Sequence, residues 1–408
     1  MPDIQLHEQL ERQIPHAPLC LAVLPSAQAM GARVNHYISE FRKAEHNQIK
    51  SDPAFKDYVK DSYLMDLSCI RFGTGEAKTV INSTARGRDV FILADVCNYS
   101  LTYELYGFTN HMSPDDHFQD IKRVIAAING KARRLNVIMP FLYEGRQHHR
   151  TGRESMDGAL MLKELVDMGV DNFITFDAHD PRIQNVAPLV NFDNFTTPYQ
   201  FLRTLVHAYP NLIIDKDRMV VISPDEGALD RAVYFANVLG VNTGMFYKRR
   251  DYTRIVNGKN PIVAHEFLGS DLDGKDVVII DDMISSGGSI LDTSRQLKSR
   301  GASRVFLCTT FGLFTDGLEI FDKAYEQGDF DKIITTNLTY QPPELFEREW
   351  FASADMTKYL ANIIDFLNHD ISISNVTTPT EKIHEFLNKF NAGVQSELDR
   401  ELLERTEF

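Results

Sequence analysis

Residues Val277–Ser289 read VVIIDDMISSGGS: an apolar run, two adjacent aspartates, then a loop of small residues. Val277–Ile280 has the β-branched, uninterrupted apolar pattern of a strand buried on both faces. Asp281 and Asp282 stand at its end, where like charges repel and lose hydration, so something must compensate them. The continuation ILDTSRQLKSRG is helical, which makes the order strand, acidic pair, Ser/Gly loop, helix. In an open parallel sheet, ligands sit beyond the carboxyl ends of the strands. Loop amides and a helix N-terminus together form a nest for a phosphate dianion. Gly287 and Gly288 permit close approach there, and Ser285, Ser286 and Ser289 add hydroxyl donors. The paired carboxylates can accept from two vicinal hydroxyls or hold a divalent cation. A sugar phosphate meets both halves at once: hydroxyls for the carboxylates, phosphate for the loop.

The bulk properties suit such a ligand held by local groups. The chain has 408 residues, 43% hydrophobic and 25% charged, which leaves room for two domains. A formal net charge of −14 argues against a general nucleic-acid surface. The four cysteines, Cys20, Cys69, Cys97 and Cys308, form no CxxC pair, so neither a disulfide scaffold nor a thiolate zinc site is expected. The opening MPDIQLHEQLERQIPHAP is polar and acidic, unlike a secretory or transit segment. No apolar run is long enough to span a bilayer. A cytoplasmic protein with no membrane association is expected.

Strand-like runs recur with helical patterns between them. DVFILADV, NVIMPFLY, NFITFDAH, MVVISPDE, DVVIIDDM, RVFLCTTF and KIITTNL read as buried strands. Between two of them, Ile121, Val124, Ile125 and Ile128 make one apolar helical stripe. SMDGALMLKELVDMG and GALDRAVYFANVLG behave alike, each closing on a glycine suited to a C-cap. Alternating strands and helices mean α/β architecture. The expected divisions are an N-terminal α/β domain over 1–195, a C-terminal α/β domain over 196–375, and a charged helical tail over 376–408. That tail is expected to be a solvated or subunit-packing element.

The VVIIDDMISSGGS string resembles the phosphoribosyl diphosphate-binding signature shared by type I phosphoribosyltransferases and ribose-phosphate diphosphokinases. Further stretches resemble the diphosphokinases in order and spacing: LPSAQAMGARV, RFGTGEAKTVINSTARGRDVFILADV, MPFLYEGRQHHRTGRESMDGALMLKELVDMGVDNFITFDAHDPRIQN, VVISPDEGALDRA, FYKRR and IITTNL. The resemblance spans about residues 20 to 370 and implies two tandem domains of the type I phosphoribosyltransferase-like fold, each a mainly parallel sheet flanked by helices. It implies transfer of the diphosphoryl group of ATP to O1 of ribose 5-phosphate, giving phosphoribosyl diphosphate and AMP, with Mg2+ as cofactor. It places Lys248, Arg250 and His179 in catalysis, and His179 and Asp225 at the metal. Phe72, Glu76, Arg146 and Gln147 fall to ATP, with Phe72 and Glu76 on the adenine. Asp281, Asp282, Ser285, Ser286, Gly287, Gly288 and Ser289 fall to ribose 5-phosphate. A homo-oligomer, dimer or hexamer, sharing its nucleotide site between subunits is implied as well. DYTRIVNGKNPIVAHEFLGSDLDGK, after the Lys248–Arg250 stretch, reads as a long lid connection.

The chain departs from the family at several positions. Thr74 stands where an Asp or Asn faces adenine, and His148-His149-Arg150 replaces an acidic residue and a basic one. Adjacent histidines rarely face the same way, so no metal pair is expected from them. Two other classes compete with the diphosphokinase: a non-catalytic regulatory homologue, which tends to lose the cations or the acidic pair, and a phosphoribosyltransferase, which would leave the N-terminal half unexplained.

Overall fold

The computed structural model describes residues 14–45, 58–150, 152–250, 262–373 and 379–391. In chain order it gives β1 (Leu19–Val23), α1 (Gln28–Glu45), β2 (Leu67–Arg71), β3 (Ala77–Ile81), β4 (Asp89–Leu93), β5 (Thr102–Leu105) and β6 (Phe108–His111). Then come α2 (Pro114–Ile128), β7 (Arg134–Ile138), α3 (Asp157–Asp167), β8 (Asn172–Phe176), β9 (Asn191–Phe195), α4 (Pro198–Ala208), β10 (Met219–Ser223) and α5 (Leu229–Leu239). After these follow β11 (Asn242–Arg250), β12 (Ile262–Leu268), β13 (Asp276–Ile284), α6 (Gly288–Ser299), β14 (Arg304–Gly312) and α7 (Glu319–Glu326). The last are β15 (Lys332–Thr336), β16 (Phe351–Ala354), α8 (Thr357–Asn368) and α9 (Thr380–Asn391). Each apolar run read as a strand supplies one, and α2, α3 and α5 carry the expected helical patterns. No helix among the described residues is long and apolar enough to cross a membrane.

The chain forms two compact units: 1–197 with 336–342 and 355–377, and 198–335 with 343–354 and 378–408. In the first, β1-β4-β7-β8-β9 make a sheet whose neighbours all run parallel. Its β4 and β8 strands are buried along their length, as cover on both faces requires, whereas the edge strand β9 is buried only at Phe195. On one face, Ile121, Val124, Ile125 and Ile128 of α2 join Met161, Leu162 and Leu165 of α3 in the core. Ser113 caps α2 reciprocally with Asp116, satisfying two of the free amides at its start, and Asn129 ends it in the left-handed region with its N–H on Ile125 O. The other face explains the discontinuous boundary. Tyr359 of α8 meets Phe176 and Phe195 edge-on, with ring centroids 6.2 and 6.1 Å apart.

Charge locks that helix in place. Arg42 of α1 is buried and donates to Asp365 Oδ1 through Nε at 2.8 Å and Nη2 at 2.6 Å. Its Nη2 also donates to Asn368 Oδ1 at 2.8 Å, and Asn368 Nδ2 donates to Asp89 Oδ2 at 2.9 Å. Asp89 in turn accepts from Arg134 Nε and Nη2 at 2.9 and 2.6 Å. The expected uninterrupted domain over 196–375 is thereby corrected: 355–377 returns to the first unit, where Asp365 and Asn368 bond the buried Arg42 and Asp89.

In the second unit the sheet order is β12-β11-β10-β13-β14-β15-β16. The β11–β10, β10–β13, β13–β14 and β14–β15 pairs run parallel, and β12 is antiparallel to β11. Two cores flank the sheet. Val277 and Ile279 pack with Ile290, Leu297 and Phe321 of α6 and α7, while Val278 and Ile280 pack with residues of α4, α5 and α9. The helical tail is therefore no solvated appendage over Thr380–Asn391: Ile383, Phe386, Leu387 and Phe390 of α9 are buried in that second core. Residues 376–378 and 392–408 of the expected tail lie outside the described residues. The long lid connection also differs from expectation, since Ile262–Leu268 forms β12; residues 251–261 of it lie outside the described residues.

Removing one partner of a buried pair strands the other charge. Arg42→Met is expected to destabilise the protein by about 3–5 kcal/mol in chemical denaturation, and Arg42→Met with Asp365→Leu to recover most of that loss.

Candidate active site

The site forms where the second sheet changes direction. From β10 the chain passes to β11 on one side, whereas β13, β14 and β15 continue on the other, so the carboxyl ends of β10 and β13 mark the switch point at which such sheets take their ligands. Pairing of β10 with β13 ends at Ile222↔Ile279, but β13 stays paired with β14 as far as Ile284↔Gly312. Asp281 and Asp282 thus lie inside β13 rather than after it, on the stretch that has lost its β10 neighbour. Asp282 is buried, and its N–H donates to Asp281 Oδ1 at 2.8 Å. Asp225 occupies the turn after β10, where its Oδ1 accepts from Gly227 N at 3.0 Å.

These three carboxyl groups share one neighbourhood. Burial, then the charges of Asp282 and Asp225, push the Asp281 carboxyl well above the usual carboxylate range. Excess negative charge on hard oxygen donors is what a magnesium ion relieves, so the Asp225 carboxylate beside this crowded pair fits as one of its donors. Among the described residues, no group of three or more His, Cys, Asp or Glu is arranged to enclose a metal. Magnesium commonly keeps water and substrate phosphate in its shell, so it needs no all-protein cage.

The loop beside the carboxylates is built to present amides. Ile284 O accepts from Leu313 N at 2.8 Å and Ser285 O from Thr315 N at 3.0 Å, which turns the carbonyls toward the protein. Gly287 caps α6 at φ +89°, and a Cβ there would lie 2.2 Å from Phe321 Cζ, so only glycine serves. Gly288 has open space around it and begins the helix beside exposed Ser289. The first amides of α6 have no intrahelical acceptor and carry the positive end of its dipole. Lys248 and Arg250 lie on β11, in register with His265 and Ile262 of β12, with a shift between Arg249 and Arg250.

In the first unit the remaining candidates sit on loops. Arg146 and Gln147 are exposed on the turn after β7, which closes through Gln147 N to Glu144 O at 2.9 Å. His179 is exposed beyond β8, where Asp177 adopts φ +43° and its N–H bonds Phe195 O at 2.8 Å. Phe72 and Glu76 flank the tight turn between β2 and β3, closed by Phe72 N to Glu76 O at 2.8 Å. Phe72 is 44% exposed, which leaves apolar surface for a planar ligand to stack on.

Comparison with known proteins decides among the competing classes. Residues 26–169 match the profile for the N-terminal domain of ribose phosphate pyrophosphokinase, and residues 204–335 match the phosphoribosyl transferase domain. The chain is 28% identical over 315 residues to the ribose-phosphate pyrophosphokinase of Vibrio parahaemolyticus, covering 76% of this chain and 90% of that protein. It is 29% identical over 274 residues to the one from Parasynechococcus marenigrum, covering 66% and 73% respectively. The chain belongs to the ribose-phosphate pyrophosphokinase family. It is accordingly a transferase of nucleotide biosynthesis that acts on ribose 5-phosphate. The fold agrees as well: the crystal structure of phosphoribosylpyrophosphate synthetase from Mycobacterium smegmatis matches with a TM-score of 0.65 at 21% identity, over 86% of this chain and all but 1% of that one, its coverage being 99%.

Against that family pattern, two local features of this member stand out. Thr74 Oγ1 donates to Glu76 Oε2 at 3.1 Å, so its hydroxyl braces the carboxylate. His148 and His149 do face each other, contrary to expectation: His149 Nδ1 is 2.7 Å from His148 Nε2, and the rings are 4.4 Å apart. The same His148 Nε2 lies 3.0 Å from Asp180 Oδ2, and Arg182 draws the Asp180 carboxyl down to about 2. The polypeptide turn through Gly145, rather than sequence spacing, sets that geometry. One signal was missed altogether: β14 places Thr309 in register with Asp281.

Because the fold raises the Asp281 pKa, this group favours the folded chain only in acid, and that contribution is lost as pH rises through the raised value. Asp281→Asn is expected to raise the thermal midpoint at about pH 8 by roughly 2–4 °C, the equivalent of about 1 kcal/mol, with the gain vanishing toward pH 4 in scanning calorimetry.

Proposed function

We propose that this family member transfers the diphosphoryl group of ATP to O1 of ribose 5-phosphate, using the residues named above. The observation that carries the residue assignment is the crowded carboxylate group facing a phosphate-type loop at the switch point of the second sheet. The 5′-phosphate rests on the Ser285–Ser289 loop and the start of α6, and Asp281 and Asp282 accept from the ring hydroxyls. Arg146 and Gln147 bind the nucleotide, with Phe72 stacking on the adenine and Glu76 recognising its amino group. Those two contacts are made across a subunit interface, in a homo-oligomer, dimer or hexamer, working in the cytoplasm.

In the reaction O1 attacks the β-phosphorus, an O1–P bond forms, the bond from that phosphorus to the α-phosphate oxygen breaks, AMP leaves, and the O1 hydroxyl proton is released to water. Such a transfer needs positioning and charge neutralisation more than covalent chemistry. Lys248 and Arg250 neutralise charge on the transferred group, and His179 and Asp225 would hold the magnesium. When bound, that ion neutralises phosphate charge and orients the polyphosphate.

Purified protein given ATP, Mg2+ and ribose 5-phosphate is expected to release AMP and phosphoribosyl diphosphate in equal amounts, resolved by anion-exchange chromatography; ADP as the nucleotide product would overturn the reading. Lys248→Ala is expected to lower kcat by about a hundred-fold or more while leaving the thermal midpoint in place. A matching loss of stability would make that lysine structural instead.

A further inference from the structure

The polar row beneath the phosphate loop contains a group that the assignments above do not use. Thr309 of β14 is fully buried, and its Oγ1 has no hydrogen-bond partner. A buried hydroxyl left unpaired costs stability, and valine would fill the same slot without that cost. The register explains why a hydroxyl belongs there. Thr309 pairs with Asp281 of β13 on one side and with Thr335 of β15 on the other. Register partners on neighbouring strands project from one face, and the strands lie about 4.8 Å apart. Packing identifies the face: Val277 and Ile279 of β13, and Val305 and Leu307 of β14, belong to the core under α6 and α7. Asp281 and Thr309 continue those two rows by the two-residue alternation, on the side from which the Ser285–Ser289 loop enters α6.

We propose that Thr309 is a positioning residue for the sugar-phosphate site: its hydroxyl, unpaired in the unliganded chain, turns to donate to the neighbouring Asp281 carboxylate when the sugar phosphate is bound. Asp281 Oδ1 already accepts from Asp282 N, so one oxygen is held by the main chain. A second donor on the adjacent strand fixes the plane of the carboxylate and offsets the crowding from Asp282 and Asp225. A bond from a neutral hydroxyl to an ionised acceptor is charge-assisted and short, well suited to aiming a carboxylate at substrate hydroxyls. The proposal rests on the assignment of Asp281 to the pentose.

The test compares Thr309→Val with Thr309→Ser, using steady-state kinetics in both substrates, calorimetric binding of ribose 5-phosphate and thermal melting. Thr309→Val is expected to raise KM and Kd for ribose 5-phosphate about ten-fold, with KM for ATP within about two-fold and the thermal midpoint equal or higher. Thr309→Ser keeps the hydroxyl and stays near the wild type. In an Asp281→Asn background, Thr309→Val adds no further loss of binding. Wild-type affinity in Thr309→Val, or a full ten-fold loss on top of Asp281→Asn, overturns the proposal. Should the valine variant not fold, Thr309→Ala against Thr309→Ser reads the same difference, and equal affinities refute it. Failure of the wild type itself to bind ribose 5-phosphate overturns the pocket assignment, an outcome distinct from any difference among the Thr309 variants.

Discussion

Three carboxyl groups held close together in the second sheet set the terms for everything around them. Loss of hydration and the charges of Asp282 and Asp225 act together on Asp281, and its pKa rises accordingly. No fold keeps such a cluster for stability, because neutral side chains of the same size would hold the strands better. The cluster persists because β10 releases β13 after Ile279, which opens the sheet beside the acidic pair. Into that opening the Ser/Gly loop brings main-chain donors of opposite polarity. Negative and positive halves then stand side by side, as a sugar bearing both hydroxyls and a phosphate requires.

Geometry that looks permissive turns out to be tightly constrained. Gly287 gives close approach to a ligand, but it is equally demanded by the Phe321 ring and by a left-handed backbone. Thr309 looks like an ordinary β-branched strand residue until its neighbours on either side are known. In the first unit, Asp177 takes a left-handed conformation at the end of β8, and that turn is what brings His179 to the surface.

The first unit depends on a different kind of interaction. Its sheet exposes Phe176 and Phe195 on one face, and α8 covers them after a long excursion of the chain. Hydrophobic cover alone would leave the register of that helix loosely defined. The Arg42–Asp365–Asn368–Asp89–Arg134 network specifies it, since the hydrogen bonds that link its members form only with the helix in this register. Nothing in the local pattern of residues 357–368 announces this, because an aspartate in a helix usually faces water.

Strand and helix identity were legible wherever periodicity was strong, as in DVFILADV, DVVIIDDM and the Ile121–Ile128 stripe. The short hairpins β2–β3 and β5–β6 contain no fully buried residue and so lack an apolar run, and they escaped notice, as did β12 inside a polar connection. The ligand loop was equally readable, because strand, acidic pair, small residues and helix are contiguous, and contiguous chemistry survives in one dimension. What tertiary structure alone decided were the relations between residues far apart in the chain: Asp225 beside Asp281, Thr309 across from it, His148 against Asp180, and α8 on the first sheet. Those depend on strand order and register, and a two-residue period in each strand says which way a side chain points but not which strand lies next to it. The carboxylate pair could be read from the residues themselves; the company it keeps could not.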